Sequence, residues 1–287
     1  MGLNPTLSLD LVADVRQLLA FPFMVSALEA GTIVAVLAAV VGWYAVLRRQ
    51  TFTSHTLSVM AFPGATGAAL AGWPASLGYY LACGIAALAI GGRGGTRRRG
   101  FSTEAATIGT VQTVGLAAGF LFLSLNQAVL GGPESLLFGT FLGVTHGQVL
   151  VLLSVAVAAL GGLALLARPL LFATIDRDVA EASGVPVARV EIAFLLILAL
   201  AIAATSQITG ALLVFALLVV PPACAQQITL RPLAGLALSV GFALLIAWLG
   251  LGIAYFSIYP VGFFVTSFAF GLYVLIRVTR RLADSRR

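Results

Sequence analysis

The sequence predicts an all-α polytopic membrane protein with eight or nine transmembrane helices. Three observations carry this. Of 287 residues, 60% are hydrophobic and only 9% charged, whereas a soluble domain carries roughly 25% charged residues. Apolar runs long enough to cross a hydrocarbon core of roughly 30 Å, at about 1.5 Å per helical residue, succeed one another along the chain. The sixteen basic residues are all arginine and gather at the ends of those runs.

Taken in order, residues 7–19, LSLDLVADVRQLL, set Leu7, Leu11, Val15 and Leu18 on one helical face and Asp10, Asp14 and Gln17 on another. An amphipathic helix lying in the membrane interface is expected over 1–20. No positively charged region or cleavage site precedes the first apolar run, so no removable signal peptide is expected. Spans are expected at about 22–47, 53–72 (interrupted by Pro63-Gly64), 75–92 and 103–125. The broken stretch LGGPESLLFGTFLGVTHG at 130–147 is too short and polar to cross, and reads as re-entrant or interfacial. Further spans follow at about 147–167, 189–207, 210–228, 232–256 and 260–276. The transmembrane domain thus covers 21–281, with a tail at 282–287.

Sidedness follows from the arginines. With the N-terminus outside, fifteen of the sixteen fall in loops 48–54, 93–102, 168–189 and 228–232 or in the tail from 277. All of these then face inward, with the C-terminus, as the positive-inside rule requires.

Several functions are excluded. The chain contains no lysine, so it cannot carry the Walker loop GxxxxGK[ST] of a P-loop ATPase. Its arginines form no continuous stripe, which argues against nucleic acid as a partner. Cys83 and Cys224 stand alone in apolar runs, without metal-finger spacing. Neither GxSxG nor HExxH is present, and Asp176-x-Asp178 has no second acidic cluster on the inner loops to make a metal-dependent transferase. No cofactor is expected.

The one sizeable polar break in the second half is RPLLFATIDRDVAEASGVPVAR, Arg168 to Arg189. Thr174 is expected to cap a short helix, with Asp176 and Asp178 in its first turn and Glu181 close behind, where carboxylates meet the positive end of the helix dipole. Gly184 suits a left-handed stop and Pro186 prevents continuation. A charged helix between two spans lies in water and offers a surface to a soluble protein.

Within the spans, polar residues are candidates for a transport pathway. Glu29 lies about two turns inside the first span, where an ionisable group is costly. His55 and Ser58 lie at the start of the second span, and Gln112 in the fourth. Pro221-Pro222 free backbone carbonyls in mid-membrane, which only protein or a wet cavity can satisfy. His146 reads as a cap or an interfacial residue, Gln226-Gln227 as links between helices. Small residues in GATGAALAG (64–72) and GLAAG (115–119) suit close helix packing.

Four stretches together resemble the integral-membrane permease of metal-ion ABC importers, the zinc/manganese/iron group. They are FPFMVSALEAGTIVAVLAAVVGWYAVLRRQTF (21–52), SHTLSVMAFPGA (54–65), TIDRDVAEASGVPV (174–187) and TGALLVFALLVVPPACA (209–225). The resemblance runs from Phe21 to Ala225 in consistent order. It implies a type II ABC importer-like permease in a bacterial plasma (inner) membrane, paired with a second permease copy. Two copies of a cytoplasmic ABC ATPase and an extracytoplasmic substrate-binding protein would complete the transporter.

In this resemblance 174–187 is the coupling helix, with Thr174, Asp176, Arg177, Asp178, Ala180, Glu181 and Gly184 as its ATPase-facing set. The family's second span carries Asp and His four residues apart, a pair suited to Mn²⁺ or Zn²⁺. Here His55 stands in the Asp position and Val59 in the His position, leaving His55 as the metal candidate. The loop around 255–265, with YPVGFF, also departs from the family pattern. The expected cargo is a divalent metal ion (zinc, manganese or iron). The alternatives are a chelated metal, haem or other small solute on the same architecture, or a membrane scaffold without transport.

Overall fold

The computed structural model describes residues 16–92, 101–126, 139 and 143–284. Among these there are helices, turns and no strand. The helices are α1 (Pro22–Leu47), α2 (Thr51–Leu70), α3 (Ala75–Gly91), α4 (Phe101–Leu125), α5 (His146–Ile175), α6 (Arg177–Ala182), α7 (Val187–Thr209), α8 (Ala211–Ile228), α9 (Pro232–Tyr255) and α10 (Val261–Asp284). Apart from α6, each stands where the sequence places a span. Six of them (α1, α4, α5, α7, α9 and α10) are long and apolar enough to cross a membrane. α3 and α8 are apolar but shorter, and α2 is too rich in hydroxyl side chains, so length and apolarity alone support fewer than the expected eight or nine crossings.

The chain forms two compact units. One contains residues 1–43, 140–153 and 216–287, the other 44–139 and 154–215.

In the second unit α2 packs against α3, α4 and α7 and is buried almost throughout. That burial explains how a helix with Thr53, Ser54, Thr56, Ser58 and Thr66 persists among apolar neighbours. Their hydroxyls are turned back onto the protein: Ser54 donates to the Gln50 carbonyl (2.9 Å), Ser58 to that of His55 (2.8 Å) and Thr66 to that of Phe62 (3.1 Å). Thr56 donates to Gln112 Oε1 on α4 at 3.0 Å. Close approach is made by small residues, as expected: Gly64 meets the backbone of Gly78, while Met60 and Phe62 cover Gly115 and Gly119.

One expected interruption does not occur, and one expected span end is overrun. α2 runs unbroken through Pro63, and α5 passes Pro169 and continues to Ile175 instead of ending near 167. A proline inside a helix removes one hydrogen bond. Packing offsets it here, since Phe62 and Leu170 beside the two prolines are fully buried. α10 likewise extends past 276 to Asp284, taking up most of what the sequence assigns to a tail.

The corner between α1 and α2 is a Schellman turn. Gln50 N–H donates to the Ala45 carbonyl (2.8 Å) and Arg49 N–H to that of Val46 (3.0 Å). Arg49 takes the left-handed conformation, φ 58°, that this motif requires.

In the first unit Ala35 and Ala39 of α1 pack on Ala243 and Ala247 of α9. Ser239 donates to the Ala39 carbonyl (3.3 Å), and Trp248 Nε1 to Thr32 Oγ1 (3.0 Å). Gln226 Nε2 on α8 donates to the Trp43 carbonyl at 2.9 Å, the linking role expected of it. Pro222 lacks the N–H that would reach the Leu218 carbonyl. That carbonyl lies where a Cβ on Gly42 would be, so α1 and α8 meet there through backbone alone.

The amphipathic helix expected over 1–20 lies outside the described residues except for a helical turn at 16–19. Most of the loop 93–100 and the broken stretch at 130–147 lie outside them too, as do residues 285–287.

Candidate functional site

The polar break between α5 and α7 folds into α6, but its cap is Asp176, not Thr174. Asp176 is extended (φ −145°, ψ 106°), and its Oδ1 accepts from Val179 N–H at 3.0 Å. Thr174 still belongs to α5, and its hydroxyl donates to the Leu170 carbonyl at 2.6 Å. The expectation failed because α5 runs about two turns further than its apolar pattern suggests. The helix itself is therefore shorter than 174–187.

At the other end the expected stop is present. Gly184 is left-handed, φ 85°; its N–H donates to Glu181 and that of Val185 to Ala180, both at 3.0 Å. This is a Schellman motif with its apolar contact, because Val185 packs on a cluster of Ala173, Ala180 and Val187. Six residues cannot hold a helix alone in water. α6 is held by two caps and by Ala180, which is fully buried. Asp178, Val179, Glu181 and Ala182 remain exposed on its outer face.

A charge network ties α6 to the rest of its unit, and its centre is Glu191, a residue the sequence reading does not single out. Glu191 Oε1 accepts from Arg177 Nη1 at 2.8 Å and from Arg48 Nη2 at 3.2 Å. Arg48 Nη1 also donates to Thr174 Oγ1 at 2.9 Å, and its guanidinium lies 5.7 Å from the Phe194 ring centroid. Arg177 Nε completes the set with Glu181 at 3.0 Å. The signal that could have found Glu191 is a carboxylate one turn inside an apolar helix, which is costly without a partner. Its partner Arg48 is 143 residues away in sequence and reads only as a topology signal.

A second polar group lies on α2 in the same unit. The His55 ring sits edge-on to Phe215, centroids 4.9 Å apart. Its Nδ1 is buried and has no hydrogen-bond partner among the described residues. Of the pathway candidates beside it, Ser58 is occupied by the His55 carbonyl and Gln112 Oε1 by Thr56. His55 is the one with a buried nitrogen left over.

In the other unit Glu29 and His146 come together, Oε2 to Nδ1 4.0 Å, both well exposed. His146 is the first residue of α5 and not its cap. That role belongs to Thr145, which exchanges hydrogen bonds with Gln148 in a capping box (2.9 and 3.4 Å). Pro221 is buried within an unbroken α8. No group of three or more His, Cys, Asp or Glu able to hold a metal ion occurs among the described residues. Cys83 and Cys224 are free and buried.

The chain matches the model of the ABC 3 transport family over residues 20–280. It is 30% identical to a manganese transport system membrane protein, MntC, of Halalkalibacterium halodurans, over 84% of this chain and 81% of that one. It is 31% identical to the chelated iron transport system membrane protein YfeC of Yersinia pestis, over 74% of this chain and 70% of the relative. In fold it is similar to a solved structure, PsaBC from Streptococcus pneumoniae in complex with Fab. The TM-score is 0.80 at 22% identity, covering 92% of this chain and 94% of that one.

Proposed function

The chain belongs to the ABC 3 transport family and is a membrane permease for metal transport, and we propose that it serves an importer driven by a separate ATPase. A cytoplasmic ABC ATPase, in two copies, binds α6 and the turns flanking it; an extracytoplasmic protein delivers the cargo; a second permease copy completes the pathway. The membrane is the bacterial plasma membrane, with the N-terminus outside and α6 and the C-terminus in the cytoplasm, on the strength of the arginine distribution.

The observation that carries the ATPase contact is α6 itself. It is a capped helix, anchored through Ala180 and Arg177, with Asp178, Val179, Glu181 and Ala182 turned outward. A lysine-free chain has no Walker loop, so the energy must come from outside it. The partner does work only by binding this surface differently in its ATP-bound and ATP-free states, since equal affinity for both shifts nothing.

The cargo is a divalent metal ion, with manganese and iron ahead of zinc because those are the metals in the relatives' names. His55 is its contact in this chain, through the buried Nδ1. The second reading is a chelated metal, and the observation behind it is that Val59 replaces the second ligand one turn from His55. An ion that keeps its own chelator needs fewer protein ligands to offset its desolvation.

Co-purification with the ATPase subunit tests the assembly. Cell-associated manganese, iron and zinc, measured with and without the gene under starvation for each metal, tests the cargo. Supplying the metal bare and then chelated separates the two readings.

A further inference from the structure

One carboxylate oxygen, Glu191 Oε1, is shared by two arginines from different elements. Arg177 reaches it from α6 at 2.8 Å and Arg48 from the corner that opens α2 at 3.2 Å. The Arg48 side chain is 5% exposed and that of Glu191 14%, against 27% for Arg177, so the network runs from surface to interior. Arg48 is two residues from Gln50, whose N–H closes the Schellman corner, and three from Thr51, where α2 begins. The corner is stiff, because both of its hydrogen bonds are made and Arg49 is fixed left-handed. A displacement of Arg48 therefore moves the first turn of α2, the helix that carries His55.

We propose that Glu191 is a positioning residue of the transport cycle, its carboxylate tying α6 to the head of α2 so that the two move together. The inference rests on the reading of α6 as the ATPase contact and adds the route inward from it. Physically, two close charge-assisted hydrogen bonds to one oxygen resist separation better than apolar contact, which slides. Ala180 packs with Ala173, Val185 and Val187, which seats α6 against α5 and α7. Coupling along this route means that both ends respond to the same switch.

The test uses the permease assembled with its ATPase subunit in lipid nanodiscs. An environment-sensitive fluorophore is placed at Ala182→Cys on α6 or at Phe52→Cys in the first turn of α2, both exposed positions, and ATP with vanadate is the switch. In the native background both labels respond. With Glu191→Gln the label on α6 still responds and the label on α2 falls silent. Arg177→Gln, which leaves the buried Arg48–Glu191 pair in place, gives the same split and serves if Glu191→Gln does not assemble.

A response retained at both positions in the variants overturns the inference. So does loss at both, which would mean that the carboxylate only seats α6, and so does a native α2 label that never responds. A native α6 label that ignores nucleotide defeats the earlier reading of α6 instead, and is told apart because it needs no substitution at Glu191.

Discussion

Gly64 and Gly78 touch backbone to backbone where α2 crosses α3: a Cβ on either would run into the other's carbonyl. The approach is what lets a helix of modest apolarity be enclosed by its neighbours. Enlarging either residue cannot be absorbed by a rotamer change, because the obstacle is main chain. Gly64→Val is expected to destabilise the permease by at least the roughly 1–3 kcal/mol typical of overpacking. Thermal melting in detergent checks this, and a melt unchanged from native would rule out the close crossing.

The Arg48–Glu191 pair gives a prediction with two signs. Arg48→Leu alone leaves the largely buried Glu191 with Arg177 as its charged partner, so the loss is expected to fall below the roughly 3–5 kcal/mol of a fully stranded buried charge. Arg48→Leu combined with Glu191→Leu removes both charges and should recover most of that loss, as buried pairs replaced by apolar residues usually do. Melting of the two variants against native closes the cycle. A double variant no more stable than the single one would mean that Arg177 alone satisfies the Glu191 carboxylate.

Asp176 and Asp178 are expected to differ, although they lie in one motif. Asp176 caps α6, so Asp176→Ala should weaken the helix by about 0.5–2 kcal/mol, seen as faster amide exchange over 177–182, whereas Asp176→Asn should not. Asp178→Lys leaves the cap in place and changes only the outward face. It should reduce ATPase binding in a pull-down without altering exchange in α6. Equal binding by native and Asp178→Lys would count against α6 as the docking surface.

His55→Ala should lower metal uptake by about tenfold, equivalent to about 1.4 kcal/mol if the loss is one of binding. Expression and melting should hold, because the imidazole Nδ1 has no partner to lose. Ser58→Ala and Gln112→Ala serve as comparisons, since their polar atoms already serve His55 and Thr56 respectively. Uptake of labelled manganese and iron by intact cells reads all three.

What the sequence made legible was whatever depends on near neighbours. The stop at Gly184 and Pro186, the small residues where helices touch and the nine apolar runs could all be read from patterns within a few residues. Asp176 was misread as a first-turn residue because Phe172 to Ile175 looks like the start of a loop, and only the buried Ala173 explains why α5 continues there. Glu191 was legible only as a carboxylate one turn inside a span. Its role comes from Arg48 and Arg177, which reach it from other parts of the chain. Glu29 and His146 were noticed separately, yet their proximity is a property of the fold alone. The same holds for α2, whose hydroxyls look poorly suited to lipid until the surrounding helices are seen to exclude it.

The contact between Gly42 and the Leu218 carbonyl has a mechanical implication. Interlocked side chains act as a ratchet, since each must leave one groove before entering the next. Bare main chain has no teeth. Where α1 meets α8 at the carbonyl whose usual donor Pro222 lacks, a small tilt needs no rotamer to turn over, and the hydrogen bond from Gln226 to the Trp43 carbonyl beside it acts as the stop.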